Sequence, residues 1–535
     1  MIAPTAFPAR AAANPPTTTS NFSTSAAAVE TLKQPAAYPD RPRKVSLIET
    51  HISWVFVTDR FVYKLKKPVR FDFVDFSTPE ARRRACQDEC DLNQRLAAGV
   101  YLGVLPVTQT GDGRLALNGR GQTVDWVVKM RRLPADRMLD ELIRNGQLSA
   151  ADIEQLATWL AKYYQRLSPL CLGAEEYRKK IEQHVRDNRA ELLRGEHRLP
   201  AEVVKRCHAA QLRFLALEHA KLDHRVCDGR IVDGHGDLRP EHICLEHEPV
   251  VFDCIEFNDE LRRVDVADEI GFLAMECDYL GAQALGARIE AVYRRVGCDF
   301  FSAALWNFYK CYRACVRSKV AALAAAQTSA PPGDAAHQRS LAYLHLAERY
   351  AAELGPPTLI LVCGLMGSGK TTLATALADR LGSDCLGTDA VRREMLGPSP
   401  APAGFNEGHY SHDLRQHIYS ELLHRAELLL RQRVSVVLDG AFLTASQRAA
   451  AMALAHAAGA VPLVAHCACP AAVAQERIEI RAAAPSLSEA RAELYSAQQA
   501  EEEPRPADGS IEVDTTATLR LQEAEVIEAL RRRLA

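Results

Sequence analysis

The sequence predicts two domains of different class: an α+β domain over residues 41–354, built as a sheet-rich lobe and then a helical lobe, and an α/β domain with a parallel sheet over residues 357–535. Three observations predict this. Short strand-like runs cluster before residue 70, helical periodicity dominates from Ala151 onward with interruptions at 230–235 and 249–253, and strand and helix patterns alternate beyond Gly355-Pro356-Pro357. The length agrees, since 535 residues make about three to four units of roughly 150 residues, or two large ones. With 47% hydrophobic and 25% charged residues, the chain has the composition of one that buries a core.

Taken in order, residues 1–40 are rich in Ala, Pro, Thr and Ser, hold no acid before Glu30 and lack the apolar run of a secretory signal; a disordered tail is expected there. Strands are expected at 45–49, 53–57 and 61–66, with a Thr58-Asp59-Arg60 turn, as in an antiparallel sheet. Ser77-Thr78-Pro79-Glu80 supplies a cap and a first-turn proline for a helix running to about residue 97. Another strand is expected at 124–130. Near 324–340 the composition shifts to Ala, Ser, Pro, Gly and Gln, and a helix over 341–354 leads into the second domain. There the expected strands are 359–363, 434–438 and 461–467, with a helix over 371–381.

Charge and cysteine content exclude several function classes. Lys plus Arg number 65 against 68 Asp plus Glu, a formal net charge of −3, so no global basic field draws in nucleic acid and a polyanion would need a local patch. No run approaches the roughly 18 apolar residues of a membrane span. The fifteen cysteines are scattered, with only Cys467-Ala-Cys469 closely spaced, which predicts reduced thiols and a cytoplasmic protein.

Gly364-Leu-Met-Gly367-Ser368-Gly369-Lys370-Thr371 fits the G-x-x-x-x-G-K-[ST] pattern between an apolar strand and a helix. Glycines let backbone N–H groups wrap a β-phosphate, the helix N-terminus favours the anion, Lys370 reaches the β and γ oxygens and Thr371 can hold Mg²⁺. The expected nucleotide-binding set is Gly364, Gly367, Ser368, Gly369, Lys370, Thr371 and Thr372. Asp389 follows in Gly387-Thr-Asp-Ala-Val-Arg392, Asp439 ends an apolar strand, and Arg477 and Arg481 share a helical face. This set resembles the small P-loop kinases related to polynucleotide 5′-hydroxyl kinases, zeta toxins and gluconate-type kinases, over about 357–535. The resemblance implies that Asp389 takes the acceptor hydroxyl's proton, Arg392 binds the acceptor, Arg481 with Arg477 closes over the phosphates, and Asp439 supports Mg²⁺ through water. Asp439-Gly440-Ala441 departs from the Asp-Ala-Thr of many relatives.

A second constellation lies upstream. His235-Gly236-Asp237-Leu-Arg-Pro-Glu-His242 has the spacing of a phosphotransferase catalytic loop with His in place of Asn, and Asp253 follows an apolar strand sixteen residues after Asp237. Lys64 lies on the third strand, and Glu89 shares the apolar face of the next helix, where an acid is costly without a partner. Lys64 is the expected partner. With Lys64, Glu89, Asp237 and Asp253 in order, residues 41–354 resemble the aminoglycoside phosphotransferase family, which implies a two-lobed kinase-like fold. The two-domain order, and the segments at 49–53, 63–68 and 252–257, resemble a bacterial group of bifunctional aminoglycoside phosphotransferase/ATP-binding proteins. No glycine-rich loop is present, and Thr50-His51-Ile52-Ser53 stands where the phosphates would be covered. His242 would suit Mn²⁺ or Zn²⁺ better than Mg²⁺ as a second metal ligand, with Asp253 as the first. The acidic run Glu256, Asp259, Glu260, Asp265, Asp268 and Glu269 is expected to be a solvated face, the alternative being attraction of a cationic amino sugar.

The expectation is a phosphotransferase with two nucleotide sites, moving the γ-phosphoryl of ATP to small hydroxyl-bearing acceptors with Mg²⁺, and Mn²⁺ as the alternative in the first domain. Two alternatives stand beside it. In one, the first domain senses nucleotide and regulates a P-loop kinase; in the other, the P-loop domain acts on nucleotide or nucleic-acid ends.

Overall fold

A computed structural model describes residues 19–534 apart from 51, 72–73, 328–333, 398–407, 409–410, 483–493 and 505–508. Contacts divide the chain into two compact units, Met1–Tyr177 with Arg194–Arg198 and His224–Ala347, and Arg178–Leu193 with Leu199–Asp223 and Glu348–Ala535. No helix among the described residues is long and apolar enough to cross a membrane. The fifteen cysteines are free thiols.

The first unit opens with α1 (Thr19–Leu32) and an antiparallel sheet formed by β1 (Ser46–Glu49), β2 (Ser53–Val57), β3 (Phe61–Lys66), β6 (Tyr101–Gln109), β7 (Leu115–Leu117) and β8 (Gln122–Arg131) in the order β1-β2-β3-β8-β6-β7. A two-residue pair, β4 (Arg70–Phe71) with β5 (Val74–Asp75), precedes α2 (Pro79–Asn93). Thr78 caps α2 by accepting from the Ala81 N–H, and Pro79 occupies the first turn, where its missing N–H costs nothing. Ala85, Cys86, Glu89, Cys90 and Asn93 form the buried face of α2, a spacing of three to four residues that turns one stripe to the sheet.

The segment expected to be a disordered tail is corrected here: from Thr19 it is helical, and Ala28, Val29, Leu32 and Tyr38 are buried against Phe56, Tyr63, Leu65 and Val127. Residues 1–18 lie outside the described residues. The physical reason is sparse but well-placed apolar mass. Tyr38 stacks at a tilt on Tyr63 with ring centroids 4.8 Å apart and donates its hydroxyl to the Leu32 carbonyl, so few large side chains suffice to seat an Ala-rich segment.

The helical part follows with α3 (Leu139–Arg144) and α4 (Ala150–Gln165), then α5 (Ala174–Leu192), α6 (Ala201–Leu217) and α7 (His219–Cys227), whose residues 178–193 and 199–223 belong to the second unit. Beyond them come β9 (Ile231–Asp233), β10 (Ile243–Leu245), β11 (Pro249–Val251) and β12 (Arg263–Asp265), paired antiparallel as β9 with β12 and β10 with β11. Helices α8 (Val266–Tyr279), α9 (Gln283–Gly297), α10 (Ala303–Gln327) and α11 (Ala335–Ala351) complete the unit, with α11 passing into the second unit at Glu348. The acidic run is also corrected: Asp259 and Glu260 are exposed, but Glu256, Asp265, Asp268 and Glu269 are buried. Asp265 takes a two-pronged ion pair from Arg225 and Asp268 one from Arg313, which neutralises these two carboxylates inside the unit.

The second unit holds a five-stranded sheet, all parallel, in the order β14-β15-β13-β16-β17, from β13 (Thr358–Cys363), β14 (Asp384–Gly387), β15 (Val436–Asp439), β16 (Val461–Ala468) and β17 (Ser510–Asp514). Every residue of β13 is buried, as a central parallel strand covered on both faces requires. Ile360 and Val362 face Leu373, Leu377 and Leu381 of α12 (Lys370–Leu381), while Leu359 and Leu361 share a core with Ile418 and Leu422. The remaining helices are α13 (Thr388–Leu396), α14 (His412–Arg431), α15 (Ala445–Ala457), α16 (Ala471–Ala482), α17 (Tyr495–Glu501) and α18 (Leu519–Leu534).

Candidate active sites

In the second unit, β13 lies between β15 and β16, so chain connections leave it in both directions and a crevice opens at its C-terminal end. The 364–369 loop fills that position. Gly364 and Gly367 adopt φ of 134° and 75°, and a Cβ on them would lie 2.5 Å from the Cys467 carbonyl oxygen and 2.4 Å from that of Ala474. Only glycine lets the loop turn its amides inward at such close approach. Lys370 opens α12 and donates from Nζ to the Leu365 carbonyl at 2.8 Å, folding over the loop. Thr371 and Thr372 are exposed in the first turn. Thr371 Oγ1 donates to Asp439 Oδ2 at 2.7 Å, joining the two side chains expected to serve Mg²⁺. Ser368 Oγ is buried and finds no partner among the described residues, a hydroxyl left available to an incoming oxyanion. Loop, hydroxyl and carboxylate therefore fit a metal-bound nucleotide.

Gly387 pairs in register with Asp439, and α13 starts at the next residue, so Asp389 stands in a first helical turn that begins beside that carboxylate. Arg392 donates to Asp389 Oδ1 at 2.5 Å. Arg477 donates to Thr515 through Oγ1 at 3.2 Å and the carbonyl at 2.8 Å, and its Nη1 lies 3.4 Å from where a Cβ on Gly369 would sit. Arg481 falls in α16, and its side chain is outside the described residues. Gln498 of α17 accepts from the Met366 N–H at 2.6 Å. No sequence pattern marks that glutamine.

In the first unit, Lys64 of β3 reaches two carboxylates, Glu89 Oε1 of α2 at 2.8 Å and Asp253 Oδ1 at 2.7 Å. Burial alone would pull the ammonium down, but Asp253 and Glu89 hold it well above its ordinary value. Burial pushes the Asp253 carboxyl up, and Lys64, then His242, outweigh it and hold the group far below the usual carboxylate range. Asp253 has φ of 63°, a left-handed conformation uncommon outside glycine that accompanies sites where a side chain must be aimed. An open cleft is lined by Lys64, Asp253 and His242 and walled by Ile48, Val55, Val62, Met130, Leu133 and Phe252. That slot was not readable from the sequence, because its walls come from five separate segments. His51 of the 50–53 loop is outside the described residues; the buried Thr50 hydroxyl is bonded to the Ser53 backbone, and the buried Ser53 Oγ has no partner among the described residues.

The 235–242 loop is fixed from behind. Glu269 accepts from the His235 and Gly236 N–H groups, each at 2.7 Å, and from the Tyr164 hydroxyl at 2.6 Å. The His235 ring lies 2.9 Å from the Phe252 carbonyl through Nε2 and receives the Asp237 N–H at Nδ1, which sets Nε2 as the protonated nitrogen. Burial holds that imidazole below its ordinary value. Asp237 is pushed up by burial and down more strongly by Arg239, His242 and Arg317, leaving it below the usual range; Arg239 Nη2 is 3.0 Å from its Oδ2. His242 Nδ1 lies 2.9 Å from the Asp237 carbonyl, so it is the donor there, and Nε2 receives Arg239 Nη2 at 3.1 Å. The expected metal lone pair of His242 is thus turned to a buried guanidinium, and Nε2 stands 3.6 Å from Asp253 Oδ2. That geometry removes the ground for Mn²⁺ over Mg²⁺. Sequence reasoning missed Lys66 and the buried roles of Glu256 and Glu269, which depend on partners far away in the chain, and Arg239, whose partners Asp237 and His242 are brought to it by the fold of the loop itself.

Residues 359–504 match the family model described as AAA domain, which covers the loop, α12 and β13 to β16. A gluconokinase from Sinorhizobium meliloti 1021 aligns in structure over 33% of this chain and 93% of its own, at 23% identity and a TM-score of 0.26. A choline/ethanolamine kinase family protein from Mesorhizobium loti covers 61% of this chain and 99% of its own, at 14% identity and a TM-score of 0.35. In sequence, the uncharacterized protein Rv2004c of Mycobacterium tuberculosis is 33% identical over 460 residues, which is 85% of this chain and 89% of that protein. At that identity and coverage, the chain belongs to the family of Rv2004c.

Proposed function

We propose that the chain is an ATP-dependent phosphotransferase with two nucleotide sites, each moving a γ-phosphoryl group to a hydroxyl acceptor. The observation that carries this reading is Lys64 held between Glu89 and Asp253 at the end of an apolar cleft. A planar base suits the cleft, and an oriented ammonium beside a carboxylate suits the phosphates and their metal. In the first unit, Asp253 would hold Mg²⁺ and Asp237 would orient the acceptor hydroxyl and receive its proton. The likeness to aminoglycoside phosphotransferases supports the same assignment. In the second unit, the loop amides and Lys370 would bind the phosphates, Thr371 and Asp439 would hold Mg²⁺, Asp389 would take the acceptor proton, and Arg392 would position Asp389 and the acceptor. The metal, when bound, neutralises charge on the transferring phosphoryl group.

A second reading, in which the first unit senses nucleotide without transferring phosphate, is favoured by Arg239, which occupies Asp237 at 3.0 Å. Incubation with γ-labelled ATP and a panel of polyols, sugars, amino sugars and nucleosides tests both. Transfer by wild type that falls by roughly 10²-fold to 10⁴-fold in Asp389→Asn or Asp237→Asn, with ATP affinity retained, assigns the general base in the respective unit. Transfer that Asp237→Asn leaves untouched, together with MgATP binding at the first unit, selects the sensing role.

A further inference from the structure

Five charged side chains form an alternating chain inside the first unit: Asp253, Lys64, Glu89, Lys66 and Glu256. The first three contacts measure 2.7 Å, 2.8 Å and 2.7 Å, and Lys66 Nζ then closes on Glu256 Oε1. Lys64 and Lys66 are two residues apart in β3 and so lie on the same face of the strand. Glu89 comes from α2, and Asp253 and Glu256 come from the segment after β11. The Lys66 and Glu89 side chains are fully buried, and Lys66 Nζ lies 5.0 Å from the centre of the Phe76 ring. No solvent can replace a lost partner there.

We propose that Lys66 is a positioning residue for the nucleotide site, fixing the Glu89 carboxylate through Oε2 so that Oε1 is presented to Lys64, with Glu256 as the anchor of Lys66. The inference rests on the phosphotransferase reading of this unit. A carboxylate held at one oxygen only is free to rotate and carry Lys64 with it; held at both, it gives Lys64 one direction when that lysine leaves Asp253 for a phosphate. Glu256 ties the same lysine to the segment that carries Asp253.

The test uses the full chain carrying Lys370→Ala, which removes the phosphate lysine of the second unit, with MgATP titrated by calorimetry and thermal midpoints recorded beside it. Lys64→Met and Lys66→Met are each expected to weaken MgATP binding by roughly tenfold or more. The double variant Lys64→Met/Lys66→Met should bind no more weakly than Lys64→Met alone, because Lys66 acts through Lys64. Lys66→Arg should recover most of the affinity. Should Lys66→Met fail to fold, Glu256→Gln, which keeps shape and a polar contact, is expected to show the weakened binding. Lowered thermal midpoints with MgATP affinity equal to the parent in both Lys66→Met and Glu256→Gln overturn the proposal, as do losses that add in the double variant. If the parent itself, or Lys64→Met equally with it, shows no dependence on this site, the nucleotide reading falls first, and that outcome is distinct from the others.

Discussion

In the proposed reading of the second unit, Lys370 serves the nucleotide and Asp389 the acceptor. Lys370 is half-buried at the end of the loop and contacts a carbonyl rather than the core, so Lys370→Ala is expected to lose most ATP turnover by the second unit while its unfolding curve stays close to that of wild type. Wild-type turnover in that variant would remove the phosphate role. In the first unit, Asp237 and Asp253 are both held below their ordinary values by neighbouring cations. The unfolded carboxylates titrate near about 3.9, so the stability these pairs contribute is present above that pH and is lost as pH falls below it toward the lower folded values. Asp253→Asn should therefore lose less stability than wild type between about pH 5 and pH 3 in denaturant titrations. Asp253 and Lys64 can be read from sequence because each sits on or after an apolar strand in a fixed order. Lys66 cannot, since alternate lysines on a strand ordinarily read as its solvated face, and only the fold shows that this face is inside.

Helix α1 is the element in which burial overrides composition. Leu32 is fully buried against the sheet, and Leu32→Ala is expected to destabilise the protein by about 2 to 4 kcal/mol, read as a shift in denaturant midpoint with unchanged slope. A loss near zero would mean that the helix contributes nothing to the sheet. Gly367→Ala should also lower stability, because its added Cβ meets the Ala474 carbonyl at 2.4 Å and the backbone is left-handed there. The meander of β1 to β3, the cap of α2 and the central strands β13, β15 and β16 are legible, since each carries an apolar run or a cap residue whose physics is local. Edge strands are not: β14 has half its residues exposed and no apolar alternation, and β17 is held only along one side. The acidic run was equally unreadable, because Asp265 and Asp268 are neutralised by Arg225 and Arg313, 40 and 45 residues away in the chain.

At the scale of the molecule, the proposed function places two nucleotide sites of unrelated construction on one chain, one on a parallel sheet's central strand and one on an antiparallel sheet with a buried ion-pair chain. Each proposed site would have its own phosphate lysine and its own carboxylate, so the two can be silenced separately. Calorimetry on the full chain should give two MgATP per chain for wild type. Lys370→Ala should leave one, because Asp253 and Lys64 belong wholly to the first unit; Asp253→Ala should leave the other, because Thr371 and Asp439 belong wholly to the second. The Lys370→Ala/Asp253→Ala double variant should bind none. If the heat released by each single variant equals the wild-type heat minus that of the other, the sites bind independently. A shift in the surviving site's affinity on silencing its counterpart would instead measure a coupling free energy between them, which by linkage must have the same size from either side. A single MgATP for wild type that Lys370→Ala abolishes would leave the first unit without a nucleotide and reduce the chain to one active site.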